Sequence, residues 1–303
     1  MKIKDKKTRG FLAAVTGGIF WGFSGCCGQY LFSEKSIDAG WLTVVRLLCS
    51  GMALLVFCAF RHRKDLAGAV KDRGDIFRIV LFGVLGMMLC QYSYMKAISL
   101  TNAATATVIQ YTGPVLVTVV VCVRAMKLPS ASEVSAVALA VGGTFIVATH
   151  GDPRGLVLSA EGLFWCLFAA VSVVLYTLIP EKVIGKRSSA VVSGIGMTVG
   201  GIVLFFIVGA WKISQPLDTG AILALGAIII VGTVLAFSLY LQAVSDIGPV
   251  RASVIASIEP VASAVISWMW LGQGFEWIDI VGFAMIISTV FVLASKKNNA
   301  EKS

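Results

Sequence analysis

Glu259 stands alone as a charge in the run VIASIEPVASAVISWMWLG, Val254 to Gly272, and Pro260 follows it directly. Apolar or small residues flank the acid by about nine positions on each side, which puts it roughly 14 Å into an apolar helix at ~1.5 Å per residue. An ionised acid at that depth in a bilayer costs a few kcal/mol, so it must face a bundle interior. There it can pick up and release a proton or hold a substrate, or it is a structural acid bonded to a neighbouring helix. Ser263 and Ser267 continue the same helix face at i+4 and i+8, with Ser253 and Ser257 close beside it. That small polar stripe is suited to lining a wet cavity. Pro260 has no N–H, so the Ala256 carbonyl loses its usual partner, and Pro114 does the same to Gln110. A carbonyl freed in this way can take a ligand or a water. The two prolines supply either matched hinges or plain packing kinks.

Arg46 is a second charge inside an apolar segment, roughly 9 Å from the outer end at ~1.5 Å per residue. Either it snorkels to the outer surface, or it faces the interior and binds a carboxylate, of the substrate or of Glu259. Lys96, within a turn of the same surface, is expected to snorkel. Gln91, Tyr94, Gln110, Tyr111, Tyr240 and Ser257, with Trp21 and Trp165, offer amides, hydroxyls and aromatic faces suited to a zwitterionic or weakly polar ligand. These eight and Arg46 are the candidate substrate-binding residues, with Glu259 as the proton-coupling residue and Pro114 and Pro260 as hinges.

Other chemistries lack their residues. The two histidines, His62 and His150, fall in loops on opposite sides, and no nucleophile–base pair or metal spacing is present, so neither an enzyme nor a metal or cofactor is expected. The seven cysteines all lie within apolar segments and form no C-x-x-C pair, which makes them free packing thiols. No ring of acids or filter motif marks a channel.

The elements that position these residues follow from composition. The chain of 303 residues is 57% hydrophobic and only 14% charged, against about a quarter in soluble domains, so it is a polytopic membrane protein. Ten apolar segments, at 11–32, 40–60, 77–98, 103–123, 131–149, 161–180, 189–210, 220–243, 250–271 and 277–295, are long enough to cross a hydrocarbon core of about 30 Å. Helices alone satisfy their backbone at this length, so the class is all-α. With the N-terminus inside, twenty of the 25 basic residues fall on the cytoplasmic side; Lys35, Arg154 and Lys212 fall outside, and Arg46 and Lys96 within helices. The positive-inside rule then puts both termini in the cytoplasm. It also accounts for the net charge of +9 without nucleic acid.

Tyr94–Val121 and Tyr240–Ser267 align without a gap at an offset of 146, matching Tyr94 with Tyr240 and Pro114 with Pro260. GIFWGF at Gly18–Phe23 matches GLFWCLF at Gly162–Phe168, pairing Trp21 with Trp165. Each half, 11–150 and 160–295, therefore holds five helices between short cytoplasmic tails at 1–10 and 296–303. Five is odd, so the second half is expected to cross in the opposite sense, as transporters with a midplane site do. Gly18, Gly22 and Gly25 in the first helix, and Gly196 and Gly200 in the seventh, are spaced for close helix contact.

The Trp21-Gly22 pair, Arg46 in the second helix, A-x-x-x-T-x-A-A-x-A-x-x-I-Q…P over Ala97–Pro114, and IEPVASAVISWMWLG as its second copy resemble the drug/metabolite transporter superfamily, EamA type. The resemblance covers about residues 11 to 295. It implies a basket of ten helices around a central cavity in the plasma (inner) membrane. It also implies export of amino acids or other small metabolites by alternating access. The family's Gly-Glu past the fourth helix of each repeat is replaced here, by RAMKLPS in the first copy and by Gly272-Gln273 in the second. Proton coupling through Glu259 is one expectation, and an uncoupled facilitator the alternative. The substrate is a small molecule, the surroundings a lipid bilayer, and the sequence leaves the oligomeric state open.

Overall fold

Each apolar segment marked in the sequence is helical in the computed structural model, which describes residues 3–126, 128–152, 156–184, 186–215 and 217–300. The side chains of 3–5, 241, 249, 250, 253 and 293–300 also lie outside the description. Ser253 of the polar stripe falls there, as do Lys2, Lys4, Lys127, Arg154, Lys296, Lys297 and Lys302 of the charge count. Among the described residues there is no strand.

The chain runs through α1 (Ile3–Ser33), α2 (Ala39–Arg61) and the short surface helix α3 (Arg63–Lys71) into α4 (Arg73–Leu100). It continues through α5 (Ala103–Gln110), α6 (Gly113–Arg124), α7 (Ala131–Thr149), α8 (Ala160–Leu178) and α9 (Ser189–Val208). The rest is α10 (Thr219–Ile247), α11 (Pro249–Ala256), α12 (Glu259–Leu271) and α13 (Trp277–Ala300). Nine helical spans among the described residues are long and apolar enough to cross a membrane, counting α5 with α6 as one and residues 254–271 as another. The tenth segment, Trp277–Val292 within α13, is apolar but shorter. Large apolar side chains such as Phe206, Leu223 and Met269 stay exposed, as oil-facing surfaces require.

Two irregularities occur twice, at matching places in the two halves. Helix α4 widens into a π stretch at Phe82–Met88, and α10 does so at Ala227–Leu235. The fourth span is interrupted at Tyr111–Thr112, between α5 and α6, and the ninth at Ser257–Ile258, between α11 and α12. Each interruption lies two to three residues before a proline, and Pro114 and Pro260 sit in the first turn of the helix that resumes. Proline suits that position because the N–H it lacks has no intrahelical partner there. The expected kinks are two-residue interruptions that keep right-handed backbone at Tyr111, Thr112 and Ile258, each displaced toward the N-terminus of its proline.

Glycines let backbones touch at the crossings. A Cβ on Gly22 in α1 would stand 2.8 Å from the Glu259 carbonyl oxygen and 2.9 Å from the Ser263 nitrogen. A Cβ on Gly83, in the π stretch of α4, would stand 2.7 Å from the Gly196 carbonyl of α9. The glycine spacing of α1 and α9 thus serves close helix contact.

Ion pairs fasten α1 to α10 at both ends. Arg9 grips Asp246 through Nε and Nη2, each at 2.7 Å, and Lys35 Nζ meets Asp218 Oδ2 at 2.6 Å. Lys96 is 3.8 Å from Glu161, consistent with a snorkelling lysine. The Lys35 ammonium, helped by the Ala221 N–H at the start of α10, holds the Asp218 carboxyl below its ordinary range. A carboxyl so depressed stabilises the fold above its unfolded pKa, and this is lost as pH falls through the folded value. An Asp218→Asn variant is thus expected to melt below the wild type at neutral pH, and the gap is expected to close as pH falls below the ordinary aspartate range. A pH series of thermal unfolding checks this.

Candidate functional site

The interruption of the fourth span faces that of the ninth across a central cavity of about 590 Å³. Its wall includes Trp21 from α1, Arg46 from α2, Gln91 and Tyr94 from α4, Gln110 and Tyr111 beside the first break, Tyr240 from α10, and Glu259 beside the second. Pro114 borders it as well. Three sequence-selected residues do not. Trp165 packs edge-on against Tyr92 at 5.5 Å and beside Phe164 and Phe168. The Ser257 hydroxyl is buried and turns back to the Val254 carbonyl within its own helix turn. Pro260 is buried behind Glu259.

Glu259 Oε2 accepts the Tyr111 hydroxyl at 3.0 Å, joining the two interruptions by one hydrogen bond. Arg46 has not snorkelled outward. It is only 6% exposed, it borders the cavity, and its Nε and Nη1 are buried with no hydrogen-bond partner. No ion pair joins it to Glu259 among the described residues. The wall that carries both charges is also aromatic. Trp21 lies 5.2 Å from Tyr240 and 5.5 Å from Phe237, centroid to centroid.

Sequence reasoning missed Met87, Cys90, Tyr176 and Phe237 in this wall. The signal for Tyr176 was present, since a phenol in an otherwise apolar segment is the same cue that selected Tyr111. Met87, Cys90 and Phe237 carry no such cue.

The Ser263–Ser267 stripe corrects another expectation, because both residues are fully buried and line no cavity. They form one side of a polar seam between α1, α5 and α12. Cys26 Sγ donates to the Ser263 carbonyl at 3.4 Å and lies 3.3 Å from Ser267 Oγ. Gln29 Oε1 accepts the Ala103 N–H at 2.8 Å and the Ser267 hydroxyl at 3.4 Å. Gln29 Nε2 donates to Gln273 Oε1 at 3.4 Å, so the glutamine found where the family pattern has glutamate still makes a contact. Beyond the seam is a second recess of about 570 Å³, bordered by Asn102, His150, Gln273, Glu276 and Asp279. His150 Nε2 there lies 2.9 Å from Asp279 Oδ1.

The seam lies on the α5–α12 side, and none of its residues lines the central cavity. Helix α5 packs on α12 there, and each lends the wall only the residue next to its break, Gln110 and Glu259. Helices α6 and α11 lend it Pro114, Thr118, Val254 and Ala256. A Gln29→Ala variant, with the six cysteines other than Cys26 replaced, is expected to loosen the seam. Alkylation of Cys26 by a small maleimide should then accelerate by about tenfold, as losing ~1.4 kcal/mol of closure implies. Mass spectrometry of the labelled protein reads the rate.

Among the described residues no group of three His, Cys, Asp or Glu side chains could hold a metal. A family model described as the EamA-like transporter family matches the chain twice, over residues 8–149 and 160–295. The "uncharacterized inner membrane transporter YicL" of Salmonella typhimurium is 31% identical over 286 residues, 94% of this chain and 95% of that protein. The "uncharacterized transporter YetK" of Bacillus subtilis is 22% identical, covering 88% of this chain and 84% of its own length. A crystal structure with 15% identity superposes with a TM-score of 0.65 over 97% of this chain and 99% of the other, a likeness of fold alone. A multi-pass helical chain matched twice by one transporter model, with interrupted spans meeting at one charged cavity, belongs to the EamA-like transporter family.

Proposed function

We propose that the protein exports small metabolites, amino acids or their analogues, across the plasma (inner) membrane by alternating access. The carrying observation is the placement of Arg46 and Glu259 on one aromatic-walled cavity, which this reading takes as closed on the side of the Gln29 seam and open on the side of α6 and α11. In this reading ten spans form two inverted five-helix repeats, 11–150 and 160–295, with both termini cytoplasmic. The paired π stretches, and the paired interruptions 146 residues apart, support the repeat. The seam is then the outer gate, and the open side faces the cytoplasm.

Glu259 is the coupling residue in this scheme. A proton and a substrate ammonium compete for its carboxylate. The loaded carrier leaves the proton inside and carries substrate out. The emptied carrier returns with a proton from outside, so the inward proton gradient drives export. A static Glu259, held by Tyr111, would instead give an uncoupled facilitator.

Counterflow in proteoliposomes tests the transport reading. Vesicles preloaded with an amino-acid panel should take up labelled amino acid in a saturable, protein-dependent way. Uptake no faster than that of protein-free vesicles for every member would overturn it.

A further inference from the structure

We infer that the connection from α2 through α3 to α4 is a binding surface for the headgroup of an anionic phospholipid. It needs only the membrane spans and is independent of what the central cavity carries.

One span ends at Arg61 and the next begins at Arg73, so α3 lies where both leave the membrane. It packs on α2, α4 and α9. The three acids of this stretch, Asp65, Asp72 and Asp75, are all engaged by the protein itself. Asp65 Oδ2 accepts the Ser188 N–H at 2.7 Å, and its Oδ1 lies 3.7 Å from Arg187 Nη1. Asp75 is 1% exposed and meets Arg187 Nε at 2.9 Å and Lys186 Nζ at 3.6 Å. Asp72 Oδ1 caps α4, accepting the N–H groups of Gly74 at 2.9 Å and Asp75 at 3.1 Å.

The cations are left over. Arg61, Arg63, Lys64, Lys71 and Arg73 are exposed, and none joins an ion pair among the described residues. A cluster of four to eight such residues beside a span attracts anionic headgroups. A choline headgroup brings a cation of its own, which this cluster repels.

The apolar surroundings select a lipid over a soluble anion. Residues four apart share a helix face. Arg61 therefore continues the face of exposed Phe57 in α2, and Arg73 heads the face of exposed Phe77 in α4. On α3, Arg63 shares its face with exposed Val70, two turns on. Phe60, beside Arg61, is 87% exposed. Each cation so placed stands at the end of a strip that wants oil. A lipid sets its phosphate on the cation and its chains along the strip, whereas a free phosphate or an acidic peptide leaves the strip uncovered.

The probes are phosphatidylglycerol, phosphatidylcholine with the same chains, glycerol phosphate and polyglutamate, each added to full-length protein in a non-ionic detergent. Native mass spectrometry counts retained lipid, and thermal shift reads all four. Phosphatidylglycerol is expected to bind at least about tenfold more tightly than phosphatidylcholine, a difference of ~1.4 kcal/mol or more. Glycerol phosphate and polyglutamate should not stabilise the protein.

Replacing Arg61, Arg63, Lys64, Lys71 and Arg73 together by glutamine should bring the preference to within about twofold, because it removes the charge that selects the headgroup. Ligand-free melting should not change, since these side chains have no partners to lose. A control with Lys6, Lys7, Arg124, Lys212 and Arg251 replaced, which are also exposed, should keep the preference. In the wild type, salt raised from about 0.1 M to about 1 M should also shrink it, because the screening length falls from about 10 Å to about 3 Å. Equal binding of the two lipids, equal loss in both variants, or a preference unmoved by salt would each overturn the assignment. Stabilisation by glycerol phosphate or polyglutamate as large as that by phosphatidylglycerol would overturn it in favour of a soluble anion or an acidic protein.

Discussion

Glu259→Gln protein in proteoliposomes is expected to lose all accumulation driven by a pH gradient while still exchanging substrate. A gradient of one pH unit is worth ~1.4 kcal/mol, so one proton per substrate supports about a tenfold concentration ratio in the wild type. With glutamine at 259 the ratio should collapse to unity. The amide is nearly isosteric and can still accept from Tyr111, so the break between α11 and α12 keeps its shape. Tyr111→Phe is the matched control, because it removes the hydrogen bond but leaves the carboxylate and should leave the ratio near the wild-type value. An unchanged ratio in Glu259→Gln would exclude coupling through this acid, and counterflow in the same vesicles would show whether transport survives.

Gly22→Leu is expected to be strongly damaging although Gly22 lies outside the cavity wall. The atoms facing Gly22 are backbone, the Glu259 carbonyl oxygen and the Ser263 nitrogen, and they cannot swing aside as a side-chain tip would. The helices must separate, and overpacking of this kind costs ~3 kcal/mol or more. The variant should elute as aggregate after solubilisation, or melt far below the wild type. Gly274→Ala provides the contrast, since nothing lies within 4 Å of a Cβ there, and it should be neutral. Separating α1 from α12 also displaces Glu259, so any folded fraction should have lost its counterflow.

Much of this arrangement is legible in the sequence, for identifiable reasons. Burial in oil has one helical solution, so apolar runs mark the spans. A charge deep in such a run must face inward, which directs Glu259 to the interior, whereas Arg46, nearer the outer end, stayed open between snorkelling and the cavity it borders. Internal symmetry was a weaker guide. It paired Trp165 with Trp21, but Trp21 meets Tyr240 and Phe237 at the cavity while Trp165 is enclosed by Tyr92, Phe164 and Phe168. A repeat offset carries the backbone position and leaves the neighbours unstated.

Polarity was ambiguous in the same way. Ser263 and Ser267 share the face of Glu259, but a buried hydroxyl is satisfied as well by Cys26 and Gln29 as by water. The acid itself could not have been duplicated. Gly113 is the position matched to Glu259, and a Cβ there would already stand 2.8 Å from the Cβ of Val173. The π stretches were invisible, because FGVLGMM and AIIIVGTVL read as ordinary apolar helix.

A π turn holds about one residue more than the α turn it replaces. When such a defect travels along a helix, each residue it passes is carried round the axis by about 100°, since an α turn takes 3.6 residues. The helix ends need not move. In α4 the stretch ends at Met88, inside the run that gives Met87, Cys90 and Gln91 to the wall. In α10 it ends at Leu235, two residues before Phe237. Part of the cavity lining thus adjoins a π stretch in each of two helices. A step of either defect exchanges the side chains presented to the cavity, as turning a dial does, without sliding a long helix through the lipid.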